Sequence, residues 1–275
     1  MTDPLPEASG ALPVEDLVAC AHAMADAARG AILPFFRAAT LATDDKGIGR
    51  FDPVTEADRA AEAAMRAVLA RLRPEDAILG EEDVAKPGTT GLTWVIDPID
   101  GTRAFISGTP TWGVLIALND ATGPIHGLID QPYIGERFEG GFGRARVCGP
   151  RAEIGLATRA PRDLSDATLF STFPEVGTAA ERAGFEAVRD RVKLTRYGMD
   201  CYAYALLAAG QIDLVIEAGL EAYDISAPIA VIEAAGGVVT DWRGGAAHHG
   251  GRALAAANPA IHAAALAILR DVVDA

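Results

Sequence analysis

Four short acidic segments place carboxylates at turns between an apolar run and the element that follows: Asp52-Pro-Val-Thr-Glu-Ala-Asp58, Gly80-Glu-Glu82, Asp97-Pro-Ile-Asp-Gly-Thr102 and Tyr223-Asp224. Each has an ordinary structural reading. Asp58 and Asp224 are of a type that caps helices. Glu81 and Glu82 suit a solvated turn, and Asp97-Pro98 and Asp100-Gly101 are good turn dipeptides. The third segment is not explained so easily. It ends the apolar run 92–96 with two carboxylates separated by a rigid turn, and those carboxylates repel unless something positive lies between them. A hard divalent cation such as Mg²⁺ resolves the repulsion, because it binds carboxylate and carbonyl oxygens and keeps positions for water and phosphate. Gly101 and Thr102 then offer backbone N–H groups to phosphate oxygens if a helix starts there.

Charge over the whole chain raises the same issue. With 38 acidic and 24 basic residues the formal net charge is −14, which argues against binding a nucleic-acid backbone or an anionic membrane. Small molecules and cations are the expected partners. An acidic protein that handles phosphate esters needs a metal between its own carboxylates and the phosphoryl oxygens. Cys20, Cys148 and Cys201 are far apart and lack zinc or disulfide spacing, so a reducing cytoplasm is expected. No apolar run is long enough for a bilayer, and the N-terminus lacks the pattern of an export signal. His22, His126, His248, His249 and His262 have no metal-ligand spacing and read as packing or solvent residues.

The elements that must position these groups fall into two halves. Residues 1–12, rich in Pro, Gly and acids, read as a frayed tail. Helical spacing of Leu17, Ala21, Met24, Ala28 and Ile32 predicts a helix over 13–37, ended or kinked by Pro34. A capping box at 55–58 opens a second helix to about Leu72, and Pro74 stops it. Apolar runs at 77–79, 92–96, 112–118, 125–129, 137–139 and 145–148, divided by turn signals, predict a mainly antiparallel sheet. Gly140-Gly-Phe-Gly143 reads as a hairpin turn, since no helix follows it as a dinucleotide fingerprint would require. Beyond 153 strands (168–171, 192–194, 213–216, 238–241) alternate with helices (175–189, 199–209, 225–235 and one from Pro259), an α/β pattern. The expected organisation is an α+β sub-domain over 13–153 and an α/β sub-domain over 154–275, packed as one unit.

The Gly-Glu-Glu turn, the Asp-Pro-Ile-Asp-Gly-Thr turn, and Tyr223-Asp224 leading to Glu233-Ala-Ala-Gly-Gly237 together resemble the inositol monophosphatase superfamily, in order and at similar spacing. The resemblance runs from about Val14 to the C-terminus. It implies a layered αβαβα sandwich, commonly a homodimer. It also implies that Glu82, Asp97 and the Ile99 carbonyl hold one Mg²⁺, that Asp97, Asp100 and Asp224 hold a second, and that a third, weaker ion lies near Glu82. Asp52 and Thr102 match the pair that orients and deprotonates the attacking water, with Glu81 as a supporting acid. The reaction implied is hydrolysis of a small-molecule phosphate monoester.

Within that superfamily the stretch from Arg196 to Gly210, continuing through 213–217, looks like the histidinol-phosphate phosphatases. By position Asp200 and Glu217 match residues that face the alcohol part of the substrate. Histidinol phosphate carries an ammonium and an imidazole, and carboxylates there favour a cation by charge-assisted hydrogen bonds. Alternatively Asp200 only caps the helix that follows it, and Arg196 either contacts the phosphate or balances Asp200. Inositol monophosphatase or a broad sugar-phosphate phosphatase is the nearest other reading, and a non-catalytic phosphate-ligand binding protein a more distant one. Pro228 is expected in the first turn of its helix, where proline is tolerated.

Overall fold

A computed structural model of the chain describes residues 13–38, 43–45 and 53–272. The first helix, α1 (Val14–Ile32), buries the predicted stripe, and a run of turns carries the chain on to Arg37. An antiparallel pair, β1 (Thr43–Asp45) and β2 (Pro53–Thr55), leads into α2 (Glu56–Leu72). The capping box expected there forms: the Thr55 hydroxyl accepts from the Ala57 N–H at 3.1 Å, and Asp58 Oδ2 accepts from the Thr55 N–H at 2.8 Å.

Next comes a seven-stranded sheet in sequence order: β3 (Ala77–Gly80), β4 (Thr93–Asp100), β5 (Gly113–Asp120), β6 (Gly123–Gln131), β7 (Glu136–Gly141), β8 (Arg144–Cys148) and β9 (Glu153–Gly155). Every pair is antiparallel except β3–β4. A short helix, α3 (Thr102–Ile106), interrupts the passage from β4 to β5. The β7–β8 connection is the tight hairpin predicted at 140–143, with Phe142 and Gly143 in left-handed conformation.

The remaining elements are β10 (Thr168–Ser171), α4 (Ala179–Arg189), β11 (Leu194–Tyr197), α5 (Asp200–Ala208), β12 (Leu214–Leu220), α6 (Ala222–Ala234), β13 (Val238–Thr240), β14 (Gly251–Ala256) and α7 (Pro259–Leu269). Their strands form a second sheet in the order β11-β10-β12-β14-β13. Strand β14 is absent from the pattern read off the sequence: Ala253-Leu-Ala-Ala-Ala257 lacks the β-branched residues that mark strands. Its place between β12 and β13, buried on both faces, makes it a strand. Helix α6 starts three residues before the predicted 225, which puts Pro228 inside the helix and not in its first turn.

Alternation along the strands sorts the core into layers. Val114, Ile116 and Leu118 of β5 face α1 and α2, while Leu115 and Ala117 face α5 and α6. In β12, Val215 faces that middle helical layer, and Leu214 and Ile216 face α4 and α7. The result is the five-layer α/β sandwich expected from the sequence. Helix α6 lies almost on the backbone of the first sheet. A Cβ at Gly127 would come 2.6 Å from the Ala227 oxygen, and one at Gly140 would come 2.4 Å from the Val231 Cα. The three cysteines are free thiols, and among the described residues no helix is long and apolar enough to cross a membrane.

Candidate metal centre and active site

Asp97 and Asp100 lie three residues apart on β4, a spacing that sends side chains to opposite faces of a regular strand. Here the pairing with β5 slips: Asp97 is opposite Leu115 and Asp100 opposite Gly113, with Pro98 and Ile99 out of register. The irregularity re-aims the side chains. Carboxylate oxygens of Asp97, Asp100 and Asp224 come within 4.8 Å of one another. Asp224 arrives from the other half of the chain, in the first turn of α6. It is not the N-cap: Glu221 holds that position, and the Glu221 N–H donates to Asp224 Oδ2 at 2.7 Å.

The turn after β4 is tightly specified. The Ile99 N–H donates to Asp97 Oδ1 at 3.0 Å, and the Thr102 hydroxyl donates to the Ile99 carbonyl at 3.2 Å. Gly101 adopts a φ of 84° and opens α3. A Cβ there would stand 2.8 Å from the Asp200 side chain, so only glycine fits.

Electrostatics mark the cluster as unfinished. Burial pushes the Asp97 carboxyl well above the usual range, and the charges of Glu81, Asp100 and Asp224 push it further. Burial and then Asp224 and Asp200 raise Asp100 in the same way, against a hydrogen bond from the Cys201 side chain, and the Cys201 N–H donates to Asp100 Oδ2 at 2.6 Å. Asp224 is raised to about 7 by burial and by Glu81 and Glu217, although the Glu221 N–H opposes the shift. Crowded, desolvated, all-oxygen donors of one sign fit a hard divalent cation.

Of the two adjacent glutamates, Glu81 is the one whose charge acts on Asp97, Asp224 and Tyr223. Glu82, the ligand expected from the sequence, is fixed through its backbone: its N–H donates to Glu62 Oε2 at 2.7 Å, and the Asp83 N–H donates to Glu62 Oε1 at 3.1 Å. Glu62 thus docks the Gly80–Asp83 turn onto α2, and a Cβ on Gly80 would strike its carboxylate at 2.3 Å. Asp52 lies outside the described residues.

A cavity of about 730 Å³ runs from Asp100, Thr102 and Asp224 past Asp200 and Glu217 to Phe173. Asp200 has a φ of 45° and is the first residue of α5, whose N-cap is Met199, so the capping alternative fails. Its Oδ2 accepts instead from the Thr111 hydroxyl at 2.9 Å. Burial raises its carboxyl, against that bond and the nearby Arg103 charge. The Arg103 guanidinium stacks over the Phe173 ring at 5.0 Å. Glu217, 6% exposed, accepts from the Thr172 N–H at 2.9 Å and hydroxyl at 2.5 Å through Oε1, and from the Tyr204 hydroxyl at 2.9 Å through Oε2. Burial raises it despite those bonds. Arg196 is exposed on the edge strand β11 and is not part of the cavity wall. Of the histidines, His22 and His126 face Glu139, and His262 meets the Thr240 hydroxyl.

Sequence reasoning missed Glu62, Thr111 and Thr172. None of them gave a usable signal: Glu62 lies one turn after Asp58 but four residues before Arg66, the spacing of a solvated pair.

Comparisons with known proteins agree with this geometry. The Arabidopsis thaliana protein "Bifunctional phosphatase IMPL2, chloroplastic" is 43% identical over 233 residues, which cover 84% of this chain and 66% of that protein. A histidinol-phosphatase of Streptomyces coelicolor is 36% identical over 253 residues, covering 88% of this chain and 92% of the relative. Among solved structures, an inositol monophosphatase from Zymomonas mobilis superposes with a TM-score of 0.82 at 38% identity, over 94% of this chain and 99% of that one. Residues 14–274 match the family described as the inositol monophosphatase family, and with the carboxylate cluster in place the chain belongs to that family.

Proposed function

We propose that this protein hydrolyses the phosphate monoester of histidinol, with Mg²⁺ held by Asp97, Asp100, Asp224 and Glu81. Members of the family are Mg²⁺-dependent phosphatases. The observation that carries the substrate is the pair of carboxylates, half-buried Asp200 and buried Glu217, on the cavity wall beyond the Asp100–Asp224 cluster. An alcohol bearing an ammonium and an imidazole compensates them, whereas one bearing only hydroxyls leaves their charge unpaired. The relatives named histidinol-phosphatase support the same choice.

Mg²⁺ supplies charge neutralisation of the phosphoryl oxygens and lowers the pKa of water. The rest falls to the chain. Thr102, whose hydroxyl proton is committed to the Ile99 carbonyl, keeps its lone pairs to accept a hydrogen bond from the attacking water. We assign the proton-accepting role to Asp58. Asp58 is 1% exposed at the start of α2, and the adjoining strand β2 packs against α3, the helix that Thr102 opens. The Gly101 and Thr102 N–H groups face the phosphate, and Asp200 and Glu217 hold the alcohol.

A second reading, an inositol phosphate as substrate, draws on the likeness to the Zymomonas mobilis enzyme. Phosphate release from L-histidinol phosphate, inositol 1-phosphate and a sugar-phosphate panel, with and without Mg²⁺, separates the two. The expected outcome is Mg²⁺-dependent release with the highest kcat/KM for L-histidinol phosphate. Preference for inositol 1-phosphate transfers the assignment to the second reading, and no turnover of any monoester removes both.

A further inference from the structure

We propose that Thr111 is the positioning residue that aims Asp200 at the substrate, and thereby sets the preference for an ammonium-bearing alcohol over an uncharged one. The inference rests on the reading of Asp200 as the carboxylate that meets the alcohol.

Asp200 is an unusual residue to find at the head of a helix in this geometry. Its φ of 45° lies in the left-handed region, which aspartate tolerates better than most side chains. Met199 holds the N-cap position of α5, and among the described residues the Asp200 carboxylate accepts no hydrogen bond from that helix, so α5 does not orient it. The orienting group comes from the other half of the chain: Thr111, 8% exposed, donates its hydroxyl to Asp200 Oδ2 at 2.9 Å. That commits one oxygen and leaves Oδ1 for the substrate.

Thr111 is also tied to the metal cluster. It stands two residues before Gly113, which pairs with Asp100 across β4 and β5. The residue after Asp200, Cys201, donates its N–H to Asp100 Oδ2 at 2.6 Å. Asp100, Gly113, Thr111, Asp200 and Cys201 therefore form a closed circuit of backbone and hydrogen bonds. Gly101 seals it, since its Cα leaves no space for a side chain against Asp200. The separation between the carboxylates that hold metal and the carboxylate that reads the alcohol is fixed by this circuit. Removing the Thr111 hydroxyl opens it at one link and lets the Asp200 carboxylate rotate, while the Asp100 links stay in place.

The test compares wild type, Thr111→Val, Thr111→Ser and Asp200→Asn at saturating Mg²⁺, measuring kcat and KM for L-histidinol phosphate and for inositol 1-phosphate. Valine keeps the shape of threonine without the hydroxyl, and asparagine keeps tolerance of the left-handed backbone. The ratio of kcat/KM between the two substrates is internal to each preparation and independent of how much of it is folded. The expected result is a roughly tenfold fall in that ratio for Thr111→Val, carried mainly by KM for L-histidinol phosphate, as for the loss of a hydrogen bond to a charged group. Thr111→Ser stays within about twofold of wild type, because the donor is retained. A fall by the same factor on both substrates overturns the proposal, since that is a structural role. An unchanged ratio in Thr111→Val with a lowered ratio in Asp200→Asn also overturns it while sparing the reading of Asp200. An unchanged ratio in Asp200→Asn removes both and leaves the phosphatase assignment standing.

Discussion

Glu62 shows how much of a site can depend on a residue that performs no chemistry. Its side chain is nearly inaccessible, yet it is surrounded by donors: the Glu82 and Asp83 N–H groups and the Arg66 guanidinium at 2.8 Å. These bonds hold the turn that presents Glu81 to Asp97. Glu62→Gln replaces one acceptor oxygen by an amide NH₂ that faces a donor. We expect it to lower stability by about 2 kcal/mol, the cost of an unsatisfied buried group, and to weaken Mg²⁺ binding as Glu81 loses its register. Thermal melts and Mg²⁺ titration of the activity check both, and unaltered Mg²⁺ affinity would show that Glu81 is placed independently of α2. The liganding aspartates were legible in the sequence because cation chemistry demands carboxylates at turns. Glu62 was not, because an acid four residues before an arginine on a helix has the pattern of a solvated pair. Which of Glu81 and Glu82 faces the cluster was likewise hidden, since a turn's backbone decides it and residue type does not.

At the scale of elements, the layering follows from where the chain allows close approach. Gly127 and Gly140 are cross-strand partners on β6 and β7, and together they make a shallow trough in which the α6 backbone lies. That seating positions Asp224 above the end of β4. A methyl group at Gly140 meets backbone atoms of Ala230 and Val231 that have little room to yield. Gly140→Ala is therefore expected to destabilise the fold by about 1–3 kcal/mol through overpacking and to raise the Mg²⁺ concentration needed for half-maximal activity, as α6 is lifted. Melting temperature and the Mg²⁺ dependence of turnover measure the two effects, and a variant with a wild-type melting temperature would show that the trough has slack. Most strands and helices were readable from periodicity, because one face of each is apolar. The exceptions have physical causes. Strand β14 is alanine-rich and is made a strand by its neighbours, and α6 begins early because Glu221 and Asp224 cap each other across its first turn. Tertiary pairing and reciprocal capping both lie outside what a run of hydrophobicity records.

Over the whole molecule, folding draws together acids that an extended chain keeps apart: Glu81, Asp97 and Asp100 from the first half and Asp224 and Glu217 from the second. In the absence of a cation this works against stability, and the sign of its pH dependence follows. The Asp224 carboxyl is raised from 3.8 to about 7 in the fold, with Asp97 and Asp100 pushed in the same direction. Between those two values the native state binds more protons than the unfolded chain, so stability falls as pH rises through that window. Asp76 acts oppositely. Burial disfavours its charge, but the bonds from Arg73, Thr90 and Trp94 outweigh burial and lower its carboxyl, so its contribution is lost only as pH falls below the ordinary aspartate range. In chelator, the melting temperature is therefore expected to decline from about pH 5 to about pH 7.5. Saturating Mg²⁺ should reverse the decline, with a larger rise at the upper end, because the cation binds deprotonated carboxylates and stabilises the native state by mass action. Scanning calorimetry across that range, with Na⁺ at matched ionic strength as the control for screening, measures it. A chelated protein whose melting temperature stays level or climbs over the window would mean that the carboxylates do not crowd as the fold places them.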